Sequence, residues 1–107
     1  MHISDFVQAC VRLLETPSEL LGEQRTYNFH SMSFTPARLL SEIHKHRSRL
    51  HVEYRPDFRQ QIAAEWPRRL DDTTAREKLG FAPEFDFESM VVDMMDRARG
   101  APQARVQ

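Results

Sequence analysis

Cysteine is nearly absent from this chain: Cys10 is the only one in 107 residues, which excludes an internal disulfide. It falls on the apolar side of a helical pattern and is expected as a small buried hydrophobe. Glycine is almost as scarce, with three in the chain, none close enough to another to form the glycine-rich turn that lets a backbone approach a dinucleotide pyrophosphate. No apolar run approaches the roughly 20 residues that span a bilayer, and the start has neither a basic nor an apolar leader region. The chain therefore reads as soluble, with no targeting segment and no membrane partner. A surplus of charge is missing too. Fifteen Lys and Arg stand against 16 Asp and Glu, for a net charge of -1, so the molecule has no overall electrostatic footprint for nucleic acid. His44, His46 and His51 do not form a metal-ligand pattern, because helical residues two apart do not face each other.

What is present fits one modest domain. Asp5 is expected to cap a helix running to about Glu15, with Phe6, Val7, Cys10, Val11 and Leu14 as its apolar stripe and Thr16-Pro17-Ser18 ending it. After a polar turn around Gly22, Thr26 to Phe29 reads as a short strand. Thr35 then caps a second helix with Pro36 at its first position, Phe34 placed to staple against Leu39, and Leu39, Leu40 and Ile43 as its buried face. His51 to Tyr54 reads as a second strand, parallel to the first, and Arg69 to Asp71 as a possible third. Asp57 to Glu65 is either a short helix or an ordered loop. Asp71-Asp72-Thr73 starts another helix, which Gly80 stops and Pro83 keeps from resuming. The last helix begins near Asp86, carries Phe85 and Met90 in staple positions and Met90, Val91, Met94, Met95 and Ala98 as its stripe, and ends at Gly100. Ala101 to Gln107 reads as a disordered tail.

Three runs carry a family resemblance. Asp71-Asp72-Thr73-Thr74-Ala75-Arg76-Glu77-Lys78-Leu79-Gly80-Phe81-Ala82-Pro83 resembles the C-terminal signature of extended short-chain dehydrogenases, the epimerase/dehydratase superfamily. Ser31-Met32-Ser33-Phe34-Thr35-Pro36, after Thr26-Tyr27-Asn28-Phe29, and Arg59-Gln60-Gln61-Ile62-Ala63 leading to Trp66-Pro67, resemble in particular the short-chain-type L-threonine 3-dehydrogenases. The likeness runs from His2 to about Arg97 but corresponds only to the C-terminal third of such an enzyme.

The resemblance implies an α/β class fragment of α+β character, with about four helices and two or three short strands. It would be the substrate-side subdomain, residues 1–99, with the Rossmann half absent and 100–107 as tail. It implies NAD and L-threonine as cofactor and substrate of the complete enzyme, and a cytoplasmic or mitochondrial location according to source. The family also needs a tyrosine with a lysine four positions later as its base. Neither Tyr27 nor Tyr54 has one, so no catalytic and no cofactor-binding residue is expected here, and the chain alone is expected to be inactive. Trp66 is the candidate substrate-side residue, as a lid over threonine, with core filling between Ile62 and the sheet as the alternative. Arg59 either grips a substrate or, as the favoured reading, forms a structural ion pair.

Some positions depart from the family pattern. His2-Ile3-Ser4-Asp5 stands where an aromatic and an aliphatic residue usually precede an acidic pair, and Met1 falls where an internal methionine is common, which suggests a shortened or split product. Phe81 replaces a more usual tryptophan, and the apolar stripes and caps survive. Two functions follow: the substrate-side portion of an NAD-dependent L-threonine 3-dehydrogenase, whose cofactor half is a separate Rossmann chain or is missing, or a silent interaction module derived from it.

Overall fold

A computed structural model describes residues 1–100 and shows six helices: α1 (Ile3–Glu15), α2 (Ser18–Leu21), α3 (Pro36–His46), α4 (Phe58–Ala64), α5 (Thr73–Leu79) and α6 (Phe87–Gly100). The tail expected from Ala101 onward lies outside the described residues, while Gly100 is the last residue of α6.

Local chemistry explains most helix boundaries. Thr35 accepts a hydrogen bond from the Arg38 N–H, and Pro36 opens α3 with its φ already set. Asp86 and Ser89 cap α6 reciprocally: the Ser89 N–H donates to Asp86 Oδ1 at 2.8 Å, and the Asp86 N–H donates to Ser89 Oγ at 3.1 Å. Gly80, left-handed at φ +66°, ends α5, and Gly22 ends α2 at φ +61° and ψ -133°, a positive-φ conformation that suits glycine. The short α2 was not foreseen in the sequence, which offered only the turn around Gly22.

The expected strands do not form. Among the described residues there is no β-strand, and 26–29, 51–54 and 69–71 are irregular. Period-two alternation over three or four residues is too short to separate a strand from a loop that anchors side chains, and a lone strand pair is marginal. At 26–30 the peptide groups meet side chains instead. Asp72 Oδ2 accepts the His30 N–H at 3.0 Å, while Arg76 Nη2 donates to the His30 carbonyl at 3.0 Å. Arg76 Nε also reaches Asp72 Oδ1 at 3.0 Å, so one ion pair on α5 clamps both sides of residue 30. At 51–54 every residue is exposed, and among the described residues neither Val52 nor Tyr54 joins a core cluster.

Two small cores result. In the first, Ala9, Ala75, Leu79 and Phe81 are buried, with Leu13, Leu21, Tyr27 and Phe29 packed against them. In the second, α3 meets α6: Phe87, Met90 and Val91 are buried beneath Met32, Leu39, Ile43, Phe85 and Met95. Phe34 joins this group through Phe87, ring centroids 4.9 Å apart. Leu39, Leu40 and Ile43 are only half-buried, while Glu42 on the same helix is buried. On α6 the buried stripe stops early, since Met94 and Ala98 are exposed.

Asp5 corrects another expectation. It does not cap α1; His2 does, its Nδ1 accepting the Ser4 N–H. Asp5 lies within the first turn, 2% exposed, and its carboxylate accepts the N–H groups of Glu84 at 2.8 Å and Phe85 at 3.2 Å. The loop before α6 is thereby tied to α1. The His2 ring stacks on Phe85 at 3.8 Å, and its Nε2 meets Asp93 Oδ2 on α6 at 2.7 Å.

Two outcomes follow for this scaffold. Asp5→Ala strands two N–H donors and is expected to cost about 1–3 kcal/mol for each that finds no water, whereas Asp5→Asn retains one acceptor and costs less; equilibrium denaturation of the three proteins checks the order. Acid should also act through Asp72. Burial pushes its carboxyl up, but Arg76 and the His30 N–H outweigh this and hold it below the ordinary carboxylate range. Because the folded-state value is the lower one, this contribution is present above the ordinary aspartate value of about 3.9 and is lost as pH falls through the folded value. Asp72→Asn should make the acid limb of a stability-versus-pH curve shallower.

Candidate functional site: an exposed face carrying Trp66

Every residue from 45 to 71 is exposed. Within this segment α4 is built locally. Its cap is Asp57, which accepts the Arg59 N–H at 2.9 Å. The Arg59 guanidinium returns to the same carboxylate, Nη2 to Oδ2 at 2.6 Å and Nε to both oxygens at 3.0 and 3.1 Å. The Arg59 side-chain bonds, with its backbone N–H second, hold the Asp57 carboxyl below its usual range. Arg59 is thus committed to a local pair, and Arg55 likewise meets Glu53 at 2.9 Å.

Phe58, Ile62 and Trp66 recur every four residues along α4 and the turn after it, where the Trp66 N–H donates to the Ala63 carbonyl at 3.1 Å. Their exposures are 70%, 52% and 68%. Trp66 fills no core among the described residues, because no sheet forms beside Ile62. The three form an exposed apolar surface along one side of this segment.

A second such surface lies on α1. Phe6, Val7, Cys10, Val11 and Leu14, the apolar stripe read from the sequence, are all exposed, which corrects the expected burial of Cys10. The inward side is instead Asp5, Ala9 and Leu13, again at intervals of four. Ser4, Gln8, Arg12 and Glu15 share the remaining side at helical spacing, so the helix is amphipathic, with a broad apolar arc of which only one edge faces inward. The richer face was legible in the sequence, but which face meets this chain's own core was not. Beside it a cleft of about 580 Å³ is lined by Met1, His2, Ile3, Phe6, Met94 and Arg97.

Sequence reasoning missed one polar constellation. Ser4 Oγ lies 2.8 Å from His2 Nδ1, and His2 Nε2 lies 2.7 Å from Asp93 Oδ2, an order that resembles a nucleophile relay. The Nδ1 atom also accepts the Ser4 N–H at 3.1 Å, so this is a helix cap whose histidine is oriented by α6. Arg97 first, and His2 second, hold the Asp93 carboxyl below its usual range. Histidine is an uncommon cap, and the 91-residue separation from Asp93 leaves no local sign.

The chain's own residues do not fit a dinucleotide. Gly22 and Gly80 close helices, and a Cβ on Gly80 would meet only Arg12 Nη1, at 3.4 Å. Ser31 and Phe58 occupy the positions four after the two tyrosines. The Tyr27 hydroxyl is buried with no hydrogen-bond partner among the described residues. No group of three metal-ligating side chains occurs among the described residues; His44 Nε2 lies 2.9 Å from the Leu50 carbonyl and His46 near Glu42. No described helix is long and apolar enough to cross a membrane.

Comparison with known proteins places this fold. No family model matches. The chain is 41% identical over 97 residues to the mitochondrial L-threonine 3-dehydrogenase of Sus scrofa, covering 90% of this chain and 26% of that protein. Among solved structures, a GalE-like L-threonine dehydrogenase from Cupriavidus necator in its apo form aligns with a TM-score of 0.85 at 36% identity, over 92% of this chain and 35% of that one. The L-threonine dehydrogenase of Phytophthora infestans aligns with a TM-score of 0.87 at 40% identity, over 94% and 32%. The fold is that of a portion of a GalE-like enzyme of the extended short-chain dehydrogenase class. Within that class the chain is a relative of part of the L-threonine 3-dehydrogenases, and it spans about a quarter to a third of their length.

The exposure of Trp66 sets an expectation. Trp66→Ala in this chain should shift the unfolding midpoint little, unlike the roughly 3–5 kcal/mol typical of deleting a buried aromatic. Its fluorescence should be quenched freely by acrylamide, and a blue-shifted, protected emission would contradict the placement.

Proposed function

We propose that this chain is the substrate-side, C-terminal portion of an NAD-dependent L-threonine 3-dehydrogenase, the enzyme that oxidises the threonine hydroxyl to give 2-amino-3-ketobutyrate. One observation carries the reading: the likeness to threonine dehydrogenases extends over nine-tenths of the chain, yet two apolar faces, on α1 and along α4 to Trp66, are exposed among the described residues. A dinucleotide-binding half is the partner that fits both facts. It would bring the glycine-rich turn and the tyrosine–lysine pair that this sequence lacks, and this chain alone is then inactive.

In that assembly Trp66 covers the bound amino acid. Its indole extends a stripe that begins on a capped helix, so it moves as part of a small unit, and closing it over threonine removes water from the reacting carbon. Arg59 contributes indirectly, by holding the Asp57 cap and hence the start of α4.

The test has two parts. Calorimetric titration of the purified chain with NAD should show no binding, and micromolar affinity would overturn the division of labour. In an enzyme assembled with a cofactor-binding half, Trp66→Ala should raise the KM for threonine and lower kcat/KM while the KM for NAD barely moves. Normal threonine kinetics in that variant would remove the lid role.

A further inference from the structure

The turn after α3 carries a different chemistry. Six of the eight residues from His44 to His51 are His, Lys or Arg, and no acidic residue lies between Glu42 and Glu53. Basic groups in the last turn of a helix ordinarily offset its dipole, and His44, Lys45 and His46 occupy that position. Lys45 Nζ is also bound to Glu42 at 2.6 Å, with His46 at 3.9 Å from the same carboxylate. Arg47 and Arg49 are left over. They lie beyond the last helical turn, and among the described residues neither meets a carboxylate.

Two hydrogen bonds fix the backbone here. The Leu50 N–H donates to the Arg47 carbonyl at 3.2 Å, and the Leu50 carbonyl faces His44 Nε2 at 2.9 Å. The closed turn surrounds an open concavity of about 430 Å³ lined by His46, Arg47, Ser48, Arg49 and Leu50. Two arginines and a serine lining one hollow carry the donor types that a phosphoryl group takes from proteins.

We propose that this turn is a binding site for a phosphate group, free or as a small monoester, gripped by Arg47 and Arg49 with Ser48 Oγ as a further donor. A long polyanion is the poorer match. This run of basic residues is confined to one turn bracketed in sequence by Glu42 and Glu53, whereas binding along a nucleic acid neutralises many phosphates at once. The site lies outside the α1 and α4 stripes and does not depend on the dehydrogenase reading.

The experiment is a titration of the full chain with inorganic phosphate near neutral pH, followed through the backbone amide resonances of Arg47 to Leu50 and compared with sodium chloride at matched ionic strength. Saturable shifts confined to the turn are expected with phosphate only. Arg47→Gln/Arg49→Gln should weaken binding by about tenfold or more with an unchanged thermal midpoint, and Arg47→Lys/Arg49→Lys, which keeps charge but loses the bidentate fork, should fall between. Equal, non-saturating shifts in phosphate and chloride would overturn the proposal, as would full retention of binding by the double Gln variant. Stronger binding to single-stranded RNA or to phosphatidic acid vesicles than to phosphate and glycerol 3-phosphate would replace it with a polyanion or membrane site.

Discussion

The carboxylate of Asp5 is the constraint on which the remaining structure depends. Its two oxygens take the N–H groups of Glu84 and Phe85, so the chain entering α6 is held against the first turn of α1. Once that loop is placed, Phe85 lies under the His2 ring and α6 presents Asp93 to His2 Nε2. A carboxylate so deeply buried is tolerable only because both oxygens have donors. The second fixed point, the Asp72–Arg76 pair around the peptide of residue 30, orders the link between the two cores without a sheet.

These polar ties matter more because the cores are small. Seven apolar side chains are buried among the described residues, in two separate groups, and most of the apolar arc of α1 is exposed. The molecule thus holds its shape through a few long-range carboxylate contacts while presenting most of its large apolar groups outward, as a domain does when part of its core is contributed from elsewhere.

What could be read from the sequence follows from the range of each interaction. Thr35-Pro36 at the start of α3, Asp86 at the start of α6 and Gly80 at the end of α5 act within a few residues, and all three are where the sequence places them. The family resemblance lay in three contiguous runs and was equally legible. The strands failed because four residues give no reliable period and the partner groups of His30 sit 42 and 46 positions away. Cys10 failed differently: the periodicity marked a true apolar face, but Asp5, Ala9 and Leu13 turn the other side of the helix inward and leave the thiol exposed. Trp66 could be singled out by residue type and neighbours, whereas its exposure depends on what the rest of the chain does not cover.

The contact between His2 and Asp93 joins residues 91 apart, and Asp5 reaches a loop 79 positions away. Both contacts close loops nearly as long as the described chain, so their entropy is spent before either bond rewards it, and the docking of α1 on α6 is a late event in folding.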